Sequence, residues 1–408
     1  MRRAARQVTA PAAASGWPVR AGLTVLAGLA ILAGLTVPPG PAASAAPAAR
    51  STAAAPRPGS RAARGIGGPL MASRGLVVSQ PADHARPLPD VPASAWVIAN
   101  AGTGQVLAAR DPHGEFGPAS TLKVLTAVTL IPLLNPGGMV VASSLATSQQ
   151  PNIAGLITGR AYQVAALFKA LLLISANDAA VALTQATGSF ARGMALINAE
   201  ARHLQAYDVV AKLPNGLPAR GQETSAYDEA LIARQALALP AFMKYDSTLA
   251  ARFEVRPHHF ETLLNQNYLL TRYRGGIGGK IGWTVSSEAT YVGLARRNGV
   301  TLIVTVLHCT ALQEITSAEK LLNWGFAMNG KVRPVGTLVP PLAAAAAVRQ
   351  VRSVARQKTV ALSAPRPGAG ATGTSYALAV GGLVVAGLGV GGLARTRGRA
   401  GGRRHRAH

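Results

Sequence analysis

Residues 288–309 read EATYVGLARR, then Asn298-Gly299 at the join, then VTLIVTVLHC. Asn-Gly between two apolar, β-branched runs specifies a two-residue hairpin, because the tight turns that suit strand twist need positive φ at their centre. No other stretch constrains the fold as strongly, since it forces two antiparallel neighbours late in the chain. GGKIGWT (278–284) lies just ahead, close enough to form an adjacent strand. Near the other end, WVIAN (96–100) and QVLAAR (105–110) are joined by AGTG and read as a second hairpin. Helical spacing marks STLKVLTAVTLIPLL (120–134), AYQVAALFKALLLIS (161–175), DAAVALTQA (178–186), FARGMALINAEARHL (190–204) and ETSAYDEALIARQAL (223–237). AEKLLNWGFAM (318–328) reads as a closing helix. Strands at both ends with helices between them predict an α+β fold, an antiparallel sheet flanked by helices.

Charge divides the chain. All 16 acidic residues lie between Asp83 and Glu319, whereas Lys and Arg run from end to end. Residues 83–333 hold 21 basic against 16 acidic side chains, so most of the net +25 belongs to the flanks. A nucleic-acid partner is therefore not expected, since it calls for a basic patch on a folded face. Arg2, Arg3 and Arg6 precede an apolar run at 21–37 and the small residues Ala43-Ser44-Ala45, which reads as a secretory signal peptide over 1–45; an uncleaved anchor is the alternative. A second apolar run, YALAVGGLVVAGLGVGGLA, stops at RTRGRAGGRRHRAH. That predicts a transmembrane helix over 375–394 and a basic cytoplasmic tail over 395–408. The Ala/Pro-rich stretches 46–84 and 341–374 read as linkers, which leaves one domain at 85–340. The expected location is the cell envelope, anchored in the plasma membrane with the domain extracytoplasmic. A single cysteine, Cys309, allows no internal disulfide.

Several chemistries fail on spacing. The Gly-rich run before Lys280 lacks the first glycine of a phosphate loop, where Arg274 stands, and the hydroxyl that should follow the lysine, where Ile281 stands. No HExxH is present, and the adjacent pair His258-His259 converges poorly on one metal, so neither metal nor cofactor is expected. A G-x-S-x-G elbow is also absent. Ser120 and Lys123, three apart at the start of a helical run, share one helix face. A lysine kept neutral by burial near other cations could take the serine's proton. A serine cap followed by a solvated lysine has the same spacing. Ser175 and Asn177 fall at the junction of two helices behind an apolar run, and such buried polar groups need partners. Lys280 stands among glycines on a predicted strand, where a ligand's backbone could lie as an added strand and the ammonium could attract a carboxylate.

The order SxxK, SxN, KxG resembles the serine-type penicillin-binding proteins and β-lactamases, and more narrowly the low-molecular-mass D-alanyl-D-alanine carboxypeptidases. PASTLKVLTAV, LLLISANDAAVAL, LPNGLP (213–218) and NQNYLL (265–270) each match a block of that family, in its order, over roughly residues 90–330. The resemblance implies the penicillin-binding, β-lactamase-like transpeptidase fold. It implies Ser120 as the acylated nucleophile, Lys123 as its base, and Ser175 and Asn177 as proton relay and amide holder. Lys280 would steer the substrate's carboxylate, Gly282 would let the ligand approach, and the N–H groups of Ser120 and Trp283 would form an oxyanion hole. The implied partners are a peptidoglycan stem peptide ending in D-Ala-D-Ala and β-lactams as covalent inhibitors.

One departure stands out. The family's Lys-Thr-Gly is here Lys280-Ile281-Gly282, which leaves no hydroxyl for a carboxylate at a cost of roughly 1.5–3 kcal/mol of recognition. Thr284 belongs to the face of Gly282, not of Ile281, so it adds a candidate contact without replacing the lost one. The alternatives are a catalytically weak penicillin-fold protein that binds stem peptides or partners, and a β-lactamase or esterase. Glu261-Thr262-Leu263-Leu264-Asn265 fits the ExxLN pattern of class A β-lactamases, but too late in the chain to serve as their deacylating glutamate.

Overall fold

The computed structural model describes residues 65–79 and 86–343. The expected signal peptide, transmembrane helix and basic tail lie outside these residues, and among the described residues no helix is long and apolar enough to cross a membrane. The chain enters through β1 (Leu76–Val78), β2 (Ala93–Asn100) and β3 (Gln105–Arg110). Next come α1 (Leu122–Leu130), β4 (Met139–Val141), the one-turn α2 (Ser144–Thr147), β5 (Ala161–Gln163), α3 (Val164–Leu173), α4 (Asn177–Gln185) and α5 (Phe190–His203). Then follow α6 (Ala226–Leu237), α7 (Pro240–Asp246), β6 (Ala250–Arg256), β7 (His259–Leu264) and α8 (Leu269–Arg272). The last elements are β8 (Gly276–Thr284), β9 (Glu288–Arg297), β10 (Val300–Cys309), α9 (Glu314–Met328) and β11 (Gly336–Thr337).

The main sheet runs β1-β3-β2-β10-β9-β8, antiparallel throughout, with β11 on β3. Both expected hairpins are present, and β10 pairs with β2, which joins the two ends of the domain. Side chains alternate between two cores. Val97 and Ala99 of β2 and Ile303 and Leu307 of β10 face the layer of α1 to α7. Trp96 and Ile98 of β2 and Leu302, Val304 and Val306 of β10 face α9. Burial on both faces explains why these strands read as continuous apolar runs and not as alternating ones.

Three expectations are corrected. Residues 65–79, assigned to a linker, carry a 3-10 turn at Pro69–Ala72 and β1, which pairs with β3, and Met71 is fully buried. The apolar residues of that short stretch were lost in the Ala/Pro/Arg-rich run before it. The first predicted helix stops at Leu130, with Ile131 as its cap, and not at 134, because Pro132 has no N–H to continue the ladder. Residues 161–163 form β5 against β4 rather than the first turn of a helix, since pairing outweighs weak local preference. The β6–β7 hairpin was not anticipated, and it carries His258 and His259 exposed at its turn.

Candidate active site

Ser120 sits in a 3-10 turn, Ala119–Thr121, that feeds directly into α1. Two hydroxyls pin this turn through one carbonyl. Thr121 Oγ1 donates to Pro118 O at 2.6 Å, and Thr290 Oγ1 of β9 donates to the same oxygen at 2.9 Å. Thr121 Oγ1 also lies 3.1 Å from Glu229 Oε1 on α6. The turn is thereby held between the helical layer and the sheet.

One turn on, Lys123 points back to Ser120. Its Nζ lies 2.9 Å from Ser120 Oγ, and it contacts Asn177 Oδ1 at 2.7 Å and the carbonyl of Asn215 at 2.6 Å. The lysine is fully buried. Burial first, and then the nearby Lys280, holds its pKa well below the usual lysine range, with Asp178 opposing. A neutral amine has two N–H donors and one lone pair. The two carbonyl-type oxygens take both donors, which leaves the lone pair for the Ser120 hydroxyl. Asn177 is itself oriented by donating Nδ2 to Gln150 O at 2.8 Å, so its oxygen faces the lysine.

Ser175 follows the end of α3 with φ 62°, and its buried Oγ has no partner. Asp178, at the start of α4, accepts from the backbone N–H groups of Ala154, Gly155 and Leu156 and so anchors the loop that carries Asn152. The LPNGLP segment supplies more than its family likeness suggested. Asn215 offers its carbonyl to Lys123, and Gly216, at φ 81°, packs so closely that a Cβ there would collide with the carbonyl of Ala119.

The fourth wall is β8. It is the edge strand of the sheet, so every second residue's N–H and C=O on it is left unpaired by β9. Lys280, Gly282 and Thr284 are buried on one face, with Ile281 partly buried and Trp283 59% exposed on the other. A Cβ on Gly282 would stand 2.6 Å from Ser120 N, so glycine is what lets strand and turn meet. Lys280 Nζ donates to the carbonyl of Ile281 at 2.7 Å. Burial lowers its pKa to about 7, with Asp246 opposing. Asp246, at the end of α7, accepts from Gly279 N at 2.6 Å and is raised by burial to about 7. Thr284 Oγ1 accepts from Ser287 N and so shapes the turn after the strand.

These segments enclose a cleft of about 650 Å³ lined by Ser120, Ser175, Asn177, Ile281, Gly282, Trp283 and Thr284, among others. Every expected site residue is in or beside it, with Lys123 and Lys280 buried in its walls. Ile281 packs with the apolar cluster on the α9 side of the sheet, so Thr284 does not take over its position. Glu261 lies elsewhere, exposed on β7 in a separate surface cavity. Three contributors were not expected: Asn215 through its carbonyl, Gly216 and Asp246. A backbone acceptor leaves no trace in sequence, whereas Asn215-Gly216 is a pair that favours a turn and offered a signal. His113, Asp208 and Asp228 form a buried cluster away from the cleft, with His113 Nδ1 2.6 Å from Asp208 Oδ2 and its Nε2 3.0 Å from Ile66 O. Both ring nitrogens are engaged by oxygen, which leaves no nitrogen free for a metal.

Residues 80–311 match the family described as D-alanyl-D-alanine carboxypeptidase. The chain is 37% identical over 258 residues to the D-alanyl-D-alanine carboxypeptidase DacB2 of Mycobacterium tuberculosis, covering 62% of this chain and 88% of that one. With DacF of Bacillus subtilis it shares 26% over 241 residues, 57% of this chain and 62% of that relative. A crystal structure of a D-alanyl-D-alanine carboxypeptidase from M. tuberculosis superposes with a TM-score of 0.59 at 36% identity, over 63% of this chain and 99% of that one. A Streptomyces DD-transpeptidase superposes at 0.56 and 28%, over 59% and 99%. The chain belongs to the serine-type D-alanyl-D-alanine carboxypeptidases.

Proposed function

We propose that the chain removes the terminal D-alanine of peptidoglycan stem peptides through an acyl-enzyme on Ser120, in cell-wall biogenesis. The observation that carries this reading is Lys123 Nζ 2.9 Å from Ser120 Oγ, its other two contacts being oxygen acceptors. The stem peptide adds to the free edge of β8. Ser120 Oγ, giving its proton to Lys123, bonds to the carbonyl carbon of the scissile peptide. The oxyanion lies toward the N–H groups of Ser120 and Trp283, where one lost donor costs roughly 2.7–4 kcal/mol. As the C–N bond breaks, the proton passes by way of Ser175 to the nitrogen of the departing D-alanine. Water then attacks the ester, its hydroxyl ending on the acyl carbon and its proton on Ser120. β-Lactams follow the first half of this path and stay attached. The apolar run at 376–394 and the basic residues after it support anchoring at the plasma membrane, with the domain outside.

The full chain is expected to become labelled by a fluorescent penicillin and, in a separate drug-free sample, to release D-alanine from diacetyl-Lys-D-Ala-D-Ala. Ser120→Ala is expected to lose both. Equal labelling of the two proteins would overturn the assignment.

A further inference from the structure

At the end of the sheet away from Ser120, the turn after β9 and the last turns of α9 enclose a cavity of about 630 Å³. Arg86, Arg297, Asn298, Asn323, Phe326 and Asn329 are among its lining residues. The register places it there. Ala295, two residues before Arg297, pairs with Gly276 at the start of β8, whereas Gly282, beside Ser120, pairs with Thr290. The cavity shares no lining residue with the Ser120 cleft.

Arg297 is built in as a fixed cation. Its guanidinium carbon stands 4.4 Å from the ring centre of Tyr273 and 4.7 Å from that of Phe326, and Nε donates to Arg274 O at 2.9 Å. Nη1 donates to Asn323 Oδ1 at 3.1 Å, and Nη2 has no partner among the described residues. No ion pair engages Arg274, Arg296 or Arg297 there. Glu319 of α9 acts electrostatically on Tyr273 but does not line the cavity, and no other carboxylate does. The asparagines show what else is on offer. Asn323 Oδ1 accepts from Arg297 and, at 2.9 Å, from Tyr273 OH, so its Nδ2 is left over. Asn100 Oδ1 accepts from the N–H groups of Gly102 and Thr103, so Asn100 Nδ2 is the donor to Asn329 Oδ1 at 2.9 Å. Asn329 Nδ2 is left over too. On both side chains the oxygen is spent and the nitrogen is spare. The negative pole of α9 ends here, but its carbonyls at Gly325 and Met328 already accept from the N–H groups of Asn329, Lys331 and Val332.

An ammonium would meet a like charge in this cavity, and a neutral sugar would ask for acceptors as well as donors. A planar carboxylate could use the guanidinium edge but would leave amides over. A phosphoryl group directs its oxygens tetrahedrally and suits a guanidinium and amides supplied by β9, α9 and the α9 cap. We propose that this cavity binds the phosphoryl group of a phosphate ester, with Arg297 as its charge partner and Asn323 and Asn329 as amide donors. The site is separate from the acyl-transfer reading and does not depend on Ser120.

Calorimetric titration of the full chain at constant ionic strength tests this, with inorganic phosphate, glycerol 1-phosphate and acetate as probes. Wild type is expected to bind both phosphates saturably and acetate about tenfold more weakly. Asn323→Asp and Asn329→Asp each keep the oxygen that is hydrogen-bonded now and put an oxyanion where the spare amide stood. Each should weaken phosphate binding by about tenfold or more while melting temperature and D-alanine release hold; if one variant melts early, the other decides. Phosphatidylglycerol vesicles, set against phosphatidylcholine, separate the sources. Vesicle binding that both variants abolish makes a lipid headgroup one source, and phosphate binding without vesicle binding makes the ester a free or polymer-borne one. The inference is overturned if wild type binds neither phosphate, if acetate binds as tightly, or if both variants bind phosphate as wild type does.

Discussion

Each side chain of the candidate active site owes its state to neighbours that sequence spacing does not show. In the proposed role Lys123 must be neutral, and burial together with the charge on Lys280 lowers its pKa toward that state. Acylation should therefore fall as pH drops and Lys123 gains a proton. For a substrate with a free carboxylate it should fall again above about 7, where Lys280 loses its charge. Replacing Lys280 with Gln removes a positive neighbour of Lys123, so the Lys123 pKa rises. The acid limb of the kcat/KM profile should move to higher pH and the alkaline limb should vanish. A profile that keeps both limbs in Lys280→Gln would show that neither belongs to these lysines. Ser120, Lys123, Ser175, Asn177 and Lys280 were legible because each sits in a short pattern with a chemical reason. Asp246 was not legible: it reaches β8 from the end of α7, through a bond that only the folded chain creates.

At the scale of elements, the strands of the hairpin β9–β10 were readable to the residue, because Asn298-Gly299 fixes the register from Val300↔Arg297 to Val306↔Tyr291; the irregularity that shifts it before Cys309 was not. The hairpin β6–β7 was not. Its residues are mostly exposed, so no apolar alternation announces it. The segment 213–218 shows how a loop can matter as much as a helix. Gly216 and Gly330 both hold positive φ, but only Gly216 has a neighbour where a side chain would go. Gly330→Ala should cost about 1 kcal/mol of stability and leave activity alone. Gly216→Ala should push the Asn215 carbonyl away from Lys123 and reduce acylation by about a hundredfold, as expected for a displacement of about 1 Å at a reacting group. Stopped-flow acylation by a fluorescent penicillin, with thermal melts of both variants, measures the contrast. Equal activity of the two would remove LPNGLP from the machinery.

The described domain is a sheet between two cores, with the Ser120 turn wedged where the helical layer meets β8. Glu229 lies beneath that turn on α6, fully buried, and burial raises its pKa to about 7 despite the hydrogen bond from Thr121. Below its ordinary pKa the carboxyl is protonated in folded and unfolded chains alike. As pH rises toward 7 the unfolded chain ionises freely while the folded one resists, so stability is lost over that interval. Glu229→Gln has no proton to lose. The stability of wild type relative to this variant should therefore decline between about pH 5 and 8, by up to roughly 3 kcal/mol. Urea midpoints across that range measure it, and a constant difference would show that the carboxyl ionises as freely in the fold as outside it.

The free margin of β8 has a consequence for resistance. A ligand laid along it is gripped in its middle by main-chain amides and carbonyls, which no codon change can remove while the strand persists. Substitutions can retune only how the ends are greeted. An antibiotic that draws most of its hold from that backbone ladder, and little from the groups beyond Gly282, would leave a mutating population few ways of escape.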